Sequence, residues 1–252
     1  DRGQKRAFLE GRQKGMREWR ALMEERGTRA DKPMKPQVVA WELGKRLKDD
    51  AIFTSDSGTI ATWYARQISV RRGEMCTLAG NLARMANGFP YAIAAQVAYP
   101  ERQCVAFVGD GGFTMLMGEF AQCVKYQLPV KVVIIKNNSL GQIKWEQMVF
   151  LGNPEYGCEL HPIDFAAFAR ACGGKGYTIE DPAACGAILD EALAQPGPVI
   201  IEGPFARNHL FCSALSAIGR YPVERSETST GTTPGGALLA TGDMAKRHAP
   251  PT

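Results

Sequence analysis

The chain has 252 residues, of which 45% are hydrophobic and 22% are charged, proportions typical of a globular protein with a buried core. The formal net charge of +4 arises in residues 1–35, which carry eleven Lys and Arg against six Asp and Glu, whereas the remainder is nearly neutral. No run of eighteen apolar residues occurs, and residues 1–15 lack the apolar stretch of a signal peptide, which argues against membrane-spanning and secreted proteins.

Residues 1–36 are predicted to form a charged helix and a linker that follows a preceding domain. Apolar side chains recur at helical spacing and form one stripe: Phe8, Met16, Trp19, Leu22 and Met23. Two prolines in residues 27–36 mark the linker. A basic arm can contact nucleic acid, but its charges are not interleaved with aromatic residues and no binding motif is present. We therefore predict a solvated helix and no nucleic-acid partner.

Residues 37–103 alternate between predicted helices and strands. Helices are predicted to about residue 48, to about residue 67, and from a first turn that contains Pro90, since proline suits that position. Strands are predicted at residues 51–54 and near residues 75–78, followed by polar loops.

Residues 104–142 are predicted to form a βαβ unit. Two short, β-branched apolar runs at residues 104–108 and 132–135 suit strands that are buried on both faces of a parallel sheet. A helix beginning near Thr114 is predicted between them, with an apolar face formed by Phe113, Leu116, Met117, Phe120 and Val124. The loops that follow the two strands should meet at the ligand-binding edge of the sheet.

The alternation continues after residues 142–160, a segment with few regular signals. Helices are predicted near residues 164–171 and 182–194, and strands near residues 175–179 and 199–201. This pattern predicts an α/β fold with a doubly wound parallel sheet and helices on both faces, spanning residues 37–203. Residues 204–252, rich in Ser, Thr, Gly and Pro, are predicted to form an irregular, disordered tail.

The seven cysteines form no CxxC pair and no metal-like cluster with the three histidines. We therefore predict reduced, buried thiols and a cytoplasmic location. A dinucleotide-binding domain is a weaker alternative, since no GxGxxG motif follows any predicted strand.

Asp110 and Asn137 follow the two strands of the βαβ unit. Adjacent parallel strands should bring their oxygens together, and Mg²⁺ prefers a few protein oxygens with water and phosphate at its other positions. Gly111 and Gly112 permit close approach of the backbone, and a helix N-terminus offers N–H groups to an anion. The sequence therefore predicts a metal-bridged diphosphate. Two structural alternatives are an acidic helix N-terminus at Asp110 and a left-handed turn residue at Asn137.

The motif Gly109-Asp110-Gly111, followed after 25 residues by Asn137-Asn138 and then Leu140-Gly141, resembles the signature of thiamine-diphosphate-dependent enzymes. Residues 35–203 are similar to the C-terminal cofactor-binding domain of the pyruvate oxidase and acetolactate synthase group. The resemblance implies the thiamine-diphosphate-binding fold. It also implies Mg²⁺ held by the side chains of Asp110 and Asn137 and by the backbone carbonyl of Ser139.

The resemblance implies further cofactor contacts. Met85 aligns with the apolar residue that holds the cofactor bent, and the Ala83 carbonyl would accept from its aminopyrimidine. Ala83 and Ala86 stand where the family often has glycine. Further cofactor-binding positions are Ser57, Gly58, Thr59, Gly111, Gly112, Leu140 and Gly141. Structural alternatives are an ordinary N-cap for residues 56–59 and core packing for Met85.

The resemblance implies a Mg²⁺- and diphosphate-binding domain of an enzyme that decarboxylates pyruvate or a related 2-oxo acid, as pyruvate oxidase does. The activating glutamate is expected from a pyrimidine-binding domain of the same or another chain, in a homodimer or homotetramer. FAD is possible in the full-length protein. The alternatives are acetolactate synthase or another acyl-transferring member, and a non-catalytic binding or regulatory paralogue. Gln142, Lys144 and Glu146 either close over substrate or form a solvated helix face. No catalytic role is predicted for His161, which is expected to pack or cap.

Overall fold

A computed structural model describes residues 2–205 of the chain. A six-stranded sheet lies at its centre, and every pair of neighbouring strands is parallel. The strands are β1 (Ile52–Ser55), β2 (Met75–Leu78), β3 (Cys104–Gly109), β4 (Lys131–Lys136), β5 (Lys175–Thr178) and β6 (Val199–Pro204), in the spatial order β2-β1-β3-β4-β6-β5. The predicted α/β fold with a parallel sheet is confirmed.

Helices cover both faces of the sheet. The helices are α1 (Arg2–Gly27), α2 (Pro36–Gly44), α3 (Thr59–Gln67), α4 (Gly88–Ala98), α5 (Asp110–Leu116), α6 (Glu119–Lys125), α7 (Gly141–Trp145), α8 (Phe165–Ala171) and α9 (Cys185–Ala194). Val105 and Phe107 of β3 belong to the core on the α2, α3 and α9 side, whereas Ala106 and Val108 belong to the core on the α4, α5, α6 and α8 side. The continuous apolar runs in the central strands thus reflect burial on two faces.

The helix predicted between β3 and β4 differs from the observed structure. It begins at Asp110 rather than near Thr114, and it is divided around Gly118 into α5 and α6. Of the predicted apolar face, Phe113 and Phe120 are fully buried, but Leu116 is exposed.

Residues 142–160 are more regular than predicted. Helix α7 is followed by a π-helical turn, Glu146–Phe150. Residues 28–35 lie between α1 and α2 without forming a helix or strand, and α1 extends to Gly27, whose α-carbon packs closely on Trp41. The proposed domain boundaries remain predictions, and the tail predicted at residues 204–252 lies outside the described residues from position 206 onward.

Helix α1 is only partly covered by α2 and α3. Met23 is buried, whereas Phe8, Leu9 and Met16 are exposed. No helix within residues 2–205 is long and apolar enough to cross a membrane. The six cysteines in these residues are free thiols, four of them buried, and the cytoplasmic location stays a prediction.

Candidate functional site

The loops after β1, β3 and β4 meet at the carboxyl edge of the sheet. From β1 the chain passes to β2 on one side and later to β3 on the other, so the order of strands reverses between β1 and β3. Such a reversal opens a crevice in which α/β sheets bind ligands. A cleft of about 700 Å³, including its open mouth, lies at this point. Its size suits a small-molecule cofactor.

Asp110 ties the loop after β3 to the loop after β4. Its carboxylate oxygen Oδ2 accepts hydrogen bonds from the backbone N–H groups of Asn137 (3.0 Å) and Asn138 (2.6 Å), which lie 27 and 28 residues further along the chain. Oδ1 accepts from the N–H of Gly111 at 2.9 Å. Burial raises the pKa of Asp110, and these N–H groups lower it, with burial the larger effect. Asp110 also occupies the first turn of α5, so the structural alternative for it describes part of its role.

Asn137 and Ser139 complete the loop after β4. The Asn137 side-chain oxygen accepts from the Ser139 N–H at 3.1 Å. The positive φ predicted as an alternative for Asn137 belongs instead to Asn138, at 52°. Ser139 is buried, and its hydroxyl oxygen has no hydrogen-bond partner among the described residues. Asn137 therefore lines the cleft, and its side-chain oxygen forms a turn contact with Ser139 although its backbone is not left-handed.

A neighbouring segment that sequence reasoning missed supports this loop. The N–H of Leu140 donates to the Cys158 carbonyl at 2.8 Å, and the N–H of Leu160 donates to the Asn138 carbonyl at 3.0 Å. A bridge between Ser139 and Glu159 lies between these two bonds. Residues 158–160 thus pair with residues 138–140. No sequence signal foretold this pairing, because it is a single bridge rather than a strand.

The donor set fits Mg²⁺. A carboxylate offers about four acceptor positions and an amide oxygen two. Asp110 uses three of its positions in the bonds above, and Asn137 uses one, so each retains capacity for a cation. No lysine, arginine or histidine is among the described residues that line the cleft, whereas the carboxylates of Asp56 and Asp110 are. A diphosphate there would be repelled unless a divalent cation lay between the negative groups.

The loop after β1 offers N–H groups to an anion. Gly58 is the N-cap of α3, with a φ of 94° and no side-chain capping bond, so the first-turn N–H groups are not capped from within the loop. The hydroxyl of Ser57 donates to the Ala79 carbonyl at 3.2 Å, and its N–H donates to the Arg84 carbonyl at 3.4 Å. The alternative of an ordinary N-cap for residues 56–59 thus describes part of the role of this loop, because Gly58 caps α3 without a side-chain bond.

Met85 lies on the apolar side of the cleft. A Cβ added to Gly111 would lie 3.0 Å from Leu140 Cδ2, 3.1 Å from Leu160 Cδ1 and 3.2 Å from Met85 Cε, so the glycine leaves room between these side chains. Met85 is half-buried and is not part of either core cluster, which argues against the core-packing alternative.

Eleven of the twelve predicted cofactor-binding residues line the cleft: Ser57, Gly58, Thr59, Met85, Asp110, Gly111, Gly112, Asn137, Ser139, Leu140 and Gly141. Ala83 is exposed and does not line it. Ala83 and Ala86 have φ values of 50° and 69°, a region that disfavours side chains and explains a preference for glycine at both positions. The binding roles themselves stay predictions.

Residues beyond the predicted set also reach the site. Gln142 lines the cleft and donates to Glu146 at 3.1 Å. Lys144 instead forms an ion pair with Glu155. His161 is exposed and absent from the cleft lining, so the expected packing role is wrong. Asp56, directly before Ser57, is a buried cleft residue that sequence reasoning assigned no role of its own.

Comparison with known proteins decides the family. A family model described as "Thiamine pyrophosphate enzyme, C-terminal TPP binding domain" matches residues 56–203, more than half of the chain. The chain belongs to this family. A second model, "Carbohydrate kinase FGGY, C-terminal domain", matches residues 184–249, a smaller share that lies mostly outside the described residues.

Individual relatives agree with this family. Protein YdaP of Bacillus subtilis (strain 168), whose full name refers to thiamine pyrophosphate, is 39% identical over 202 residues, covering 80% of this chain and 35% of that protein. The acetolactate synthase large subunit of Pyropia yezoensis is 34% identical over 73% of this chain and 31% of that protein. Pyruvate oxidase of Lactiplantibacillus plantarum is 31% identical over 74% of this chain and 31% of that protein. The chain thus spans about a third of the length of these relatives.

Proposed function

We propose that residues 37–203 hold the diphosphate and Mg²⁺ of thiamine diphosphate, as half of the cofactor site of an enzyme that decarboxylates pyruvate or a related 2-oxo acid. The observation that carries this proposal is Asp110, which joins the loops after β3 and β4 opposite the N–H groups after β1. The oxygens that could bind a metal ion and the N–H groups that could bind an anion therefore face the same cleft. The family membership of the chain gives the cofactor its identity.

Each part of the cleft has a separate task in this proposal. The side chains of Asp110 and Asn137 and the carbonyl of Ser139 hold Mg²⁺; that carbonyl already accepts from the Gly141 N–H at 2.9 Å and keeps a second lone pair. Residues 57–59 and the first turn of α5 hold diphosphate oxygens. Met85 and Leu140 orient the rings. When bound, thiamine diphosphate supplies a nucleophilic carbon and an electron sink for decarboxylation.

The remaining part of the active unit is proposed to come from another domain. In the family that this chain resembles, a pyrimidine-binding domain supplies the activating glutamate, in the same or another chain. We therefore propose a homodimer or homotetramer as the working form. The cleft opens at the carboxyl edge of the sheet, so a second domain could cover it there.

The proposed reaction type is taken from the relatives of this chain. The sequence identities of the acetolactate synthase and the pyruvate oxidase to this chain are similar, at 34% and 31%. We propose the oxidase-like reaction, with FAD bound by another part of the protein, and acetolactate synthesis as the second candidate. Flavin absorbance and a requirement for an electron acceptor in the full-length protein would distinguish the two.

The cofactor assignment can be tested by calorimetry on this chain. Thiamine diphosphate should bind in the presence of Mg²⁺ and not in the presence of EDTA. Asp110→Asn keeps the shape of the side chain but removes its charge, so we expect affinity to fall about 10- to 100-fold. Asp164→Ala is the matched control, because Asp164 caps α8 through a 2.6 Å bond to the Ala167 N–H and does not line the cleft.

Two results would count against the proposal. One is binding that needs no Mg²⁺ or is unchanged in Asp110→Asn. The other is absence of binding both in this chain and in the full-length protein that contains it, which would favour the non-catalytic paralogue.

A further inference from the structure

Asp56 is a buried carboxyl group at the centre of the loops that form the cleft. It follows β1 directly and is 1% exposed. Its Oδ1 accepts a hydrogen bond from the N–H of Gly88, the first residue of α4, at 2.7 Å. Its Oδ2 has no hydrogen-bond partner of normal geometry among the described residues, although the Ala86 N–H acts on the carboxyl group and lowers its pKa. A buried oxygen without a well-formed hydrogen bond costs about 1–3 kcal/mol, so fold stability alone does not explain an aspartate here.

Two glycines leave room for this side chain. A Cβ on Gly88 would lie 3.0 Å from Asp56 Oδ1 and 2.8 Å from a methyl carbon of Val108. A Cβ on Gly112 would overlap Asp56 Oδ2 and lie 3.1 Å from its Cγ. The first turn of α5 therefore approaches Asp56 more closely than any other residue type would permit, and the first turn of α4 is tightly packed against both Asp56 and Val108.

The segment that carries Met85 is held between these contacts. It begins at Ala79, directly after β2, where the Ala79 carbonyl accepts a hydrogen bond from the hydroxyl of Ser57, beyond the end of β1. It contacts β1 again at Asn87, whose side chain donates to the Ser55 carbonyl at 3.0 Å. Gly88 closes the segment through its bond to Asp56. Asp56 also touches α5, so it joins three segments of the cleft.

We propose that Asp56 is a positioning residue, which fixes the Met85 segment relative to the first turn of α5 and the loop at residues 57–59. The proposal rests on the proposed function, because these are the parts assigned to the rings and the diphosphate. Burial raises the pKa of Asp56, and the backbone N–H groups of Gly88 and Ala86 lower it by a smaller amount. Asp56 is not itself a proposed metal ligand and acts through the segments it joins.

Affinities for two ligands separate positioning from general stability. Inorganic diphosphate and thiamine diphosphate, each with Mg²⁺, would be titrated into this chain and into the variants Asp56→Ala, Asp56→Asn and Asp164→Ala. We expect Asp56→Ala to weaken thiamine diphosphate at least about tenfold and inorganic diphosphate less than about threefold, because the ring contacts depend on Met85. Asp56→Asn keeps an oxygen that can accept from the Gly88 N–H. It should therefore retain most of the affinity for thiamine diphosphate relative to inorganic diphosphate.

Amide hydrogen exchange tests the same idea without any ligand. In Asp56→Ala, exchange should accelerate in residues 79–88 and in the first turn of α5, and remain unchanged in α8 and α9. Equal weakening of both ligands, failure of Asp56→Asn to restore the preference, or the same pattern in Asp164→Ala would overturn the proposal. If the unaltered chain binds neither ligand, the proposed function fails, whereas the exchange result still decides whether Asp56 positions the segment.

Discussion

At the scale of single residues, the two adjacent glycines after Asp110 serve different neighbours. The sequence predicted that both Gly111 and Gly112 allow close approach to a diphosphate. In the structure Gly111 leaves space among Met85, Leu140 and Leu160, whereas Gly112 leaves space for Asp56. The second glycine is therefore required by a protein side chain.

Gly112→Ala should destabilise the protein. The new methyl group would overlap a carboxyl oxygen in a close-packed region, so we expect a loss of about 2 kcal/mol in the free energy of unfolding by urea denaturation. Gly118→Ala is the control, because nothing lies within 4 Å of its added Cβ, and it should change stability by less than about 0.5 kcal/mol. The double variant Asp56→Ala, Gly112→Ala should be more stable than additivity predicts; strict additivity would refute the steric explanation.

The raised pKa of Asp56 gives a pH dependence of stability. Below its ordinary value of 3.8 the group is protonated in both states, and between 3.8 and its folded-state pKa only the native state retains the proton. Raising the pH through this window therefore favours unfolding. The stability of the unaltered protein relative to Asp56→Asn should fall as the pH rises from about 4 and then level off. If the stability of the unaltered protein relative to Asp56→Asn rises with pH instead, the N–H groups near Asp56 stabilise its charged form by more than burial destabilises it.

Sequence reasoning reached Asp110 and Asn137 but not Asp56. The first two follow successive apolar strands, so parallel pairing alone predicts that they meet. The contacts of Asp56 come from the starts of α4 and α5, and no local pattern encodes which helix start will face a given strand end. Only the fully packed structure shows that contact.

At the scale of elements, the strands were the most predictable part. Apolar runs of β-branched residues bounded by turn residues specify buried strands, and each predicted strand is present with ends within three residues of those predicted. The helices between β3 and β4 were less predictable, because a break at Gly118 depends on how α6 packs rather than on apolar spacing. The π-helical turn at Glu146–Phe150 has no buried residue, so it leaves no apolar period to detect.

A buried ion pair attaches α8 to the sheet. Glu202 of β6 is 2% exposed and accepts from Lys136 Nζ at 3.1 Å, from the Phe165 N–H at 3.4 Å and from the Thr178 hydroxyl at 3.3 Å. Lys136→Met would leave this carboxylate without its cation, so we expect a loss of about 3 kcal/mol in thermal or urea unfolding.

The double variant Lys136→Met, Glu202→Gln serves as the control for that prediction, because it removes both charges. It should be more stable than Lys136→Met alone. If the two variants are equally stable, the ion pair contributes nothing beyond the packing of the lysine side chain.

At the scale of the whole molecule, the order of strands places the cleft. Its three loops belong to strands that are adjacent in the sheet, and two helix N-termini open from them. The sequence predicted a parallel sheet in which β3 and β4 are neighbours, but not that β1 would lie on the other side of β3. The position of the cleft between β1 and β3 thus required the structure.

Ligand binding should stabilise the whole domain, since the cleft is built from three of its central strands. At a concentration one hundred times the dissociation constant, a ligand that binds only the folded state adds about 2.7 kcal/mol to the free energy of unfolding. We expect this gain in denaturant titrations with thiamine diphosphate and Mg²⁺. Asp110→Asn at the same ligand concentration, with its affinity reduced about 10- to 100-fold, should gain only about 0.4–1.4 kcal/mol, and a gain equal to that of the unaltered protein would argue against the proposed metal site.

The hydrogen bonds between Asp110 and the loop after β4 have a consequence for the energetics of ligand capture. They join the two loops through protein groups alone, so we expect the folding reaction itself to order the segment that would surround the cation. Little conformational entropy is then left to lose on association. The site should therefore behave as a rigid template, with an association rate set by diffusion and by removal of water from Mg²⁺ rather than by a slow closing of loops.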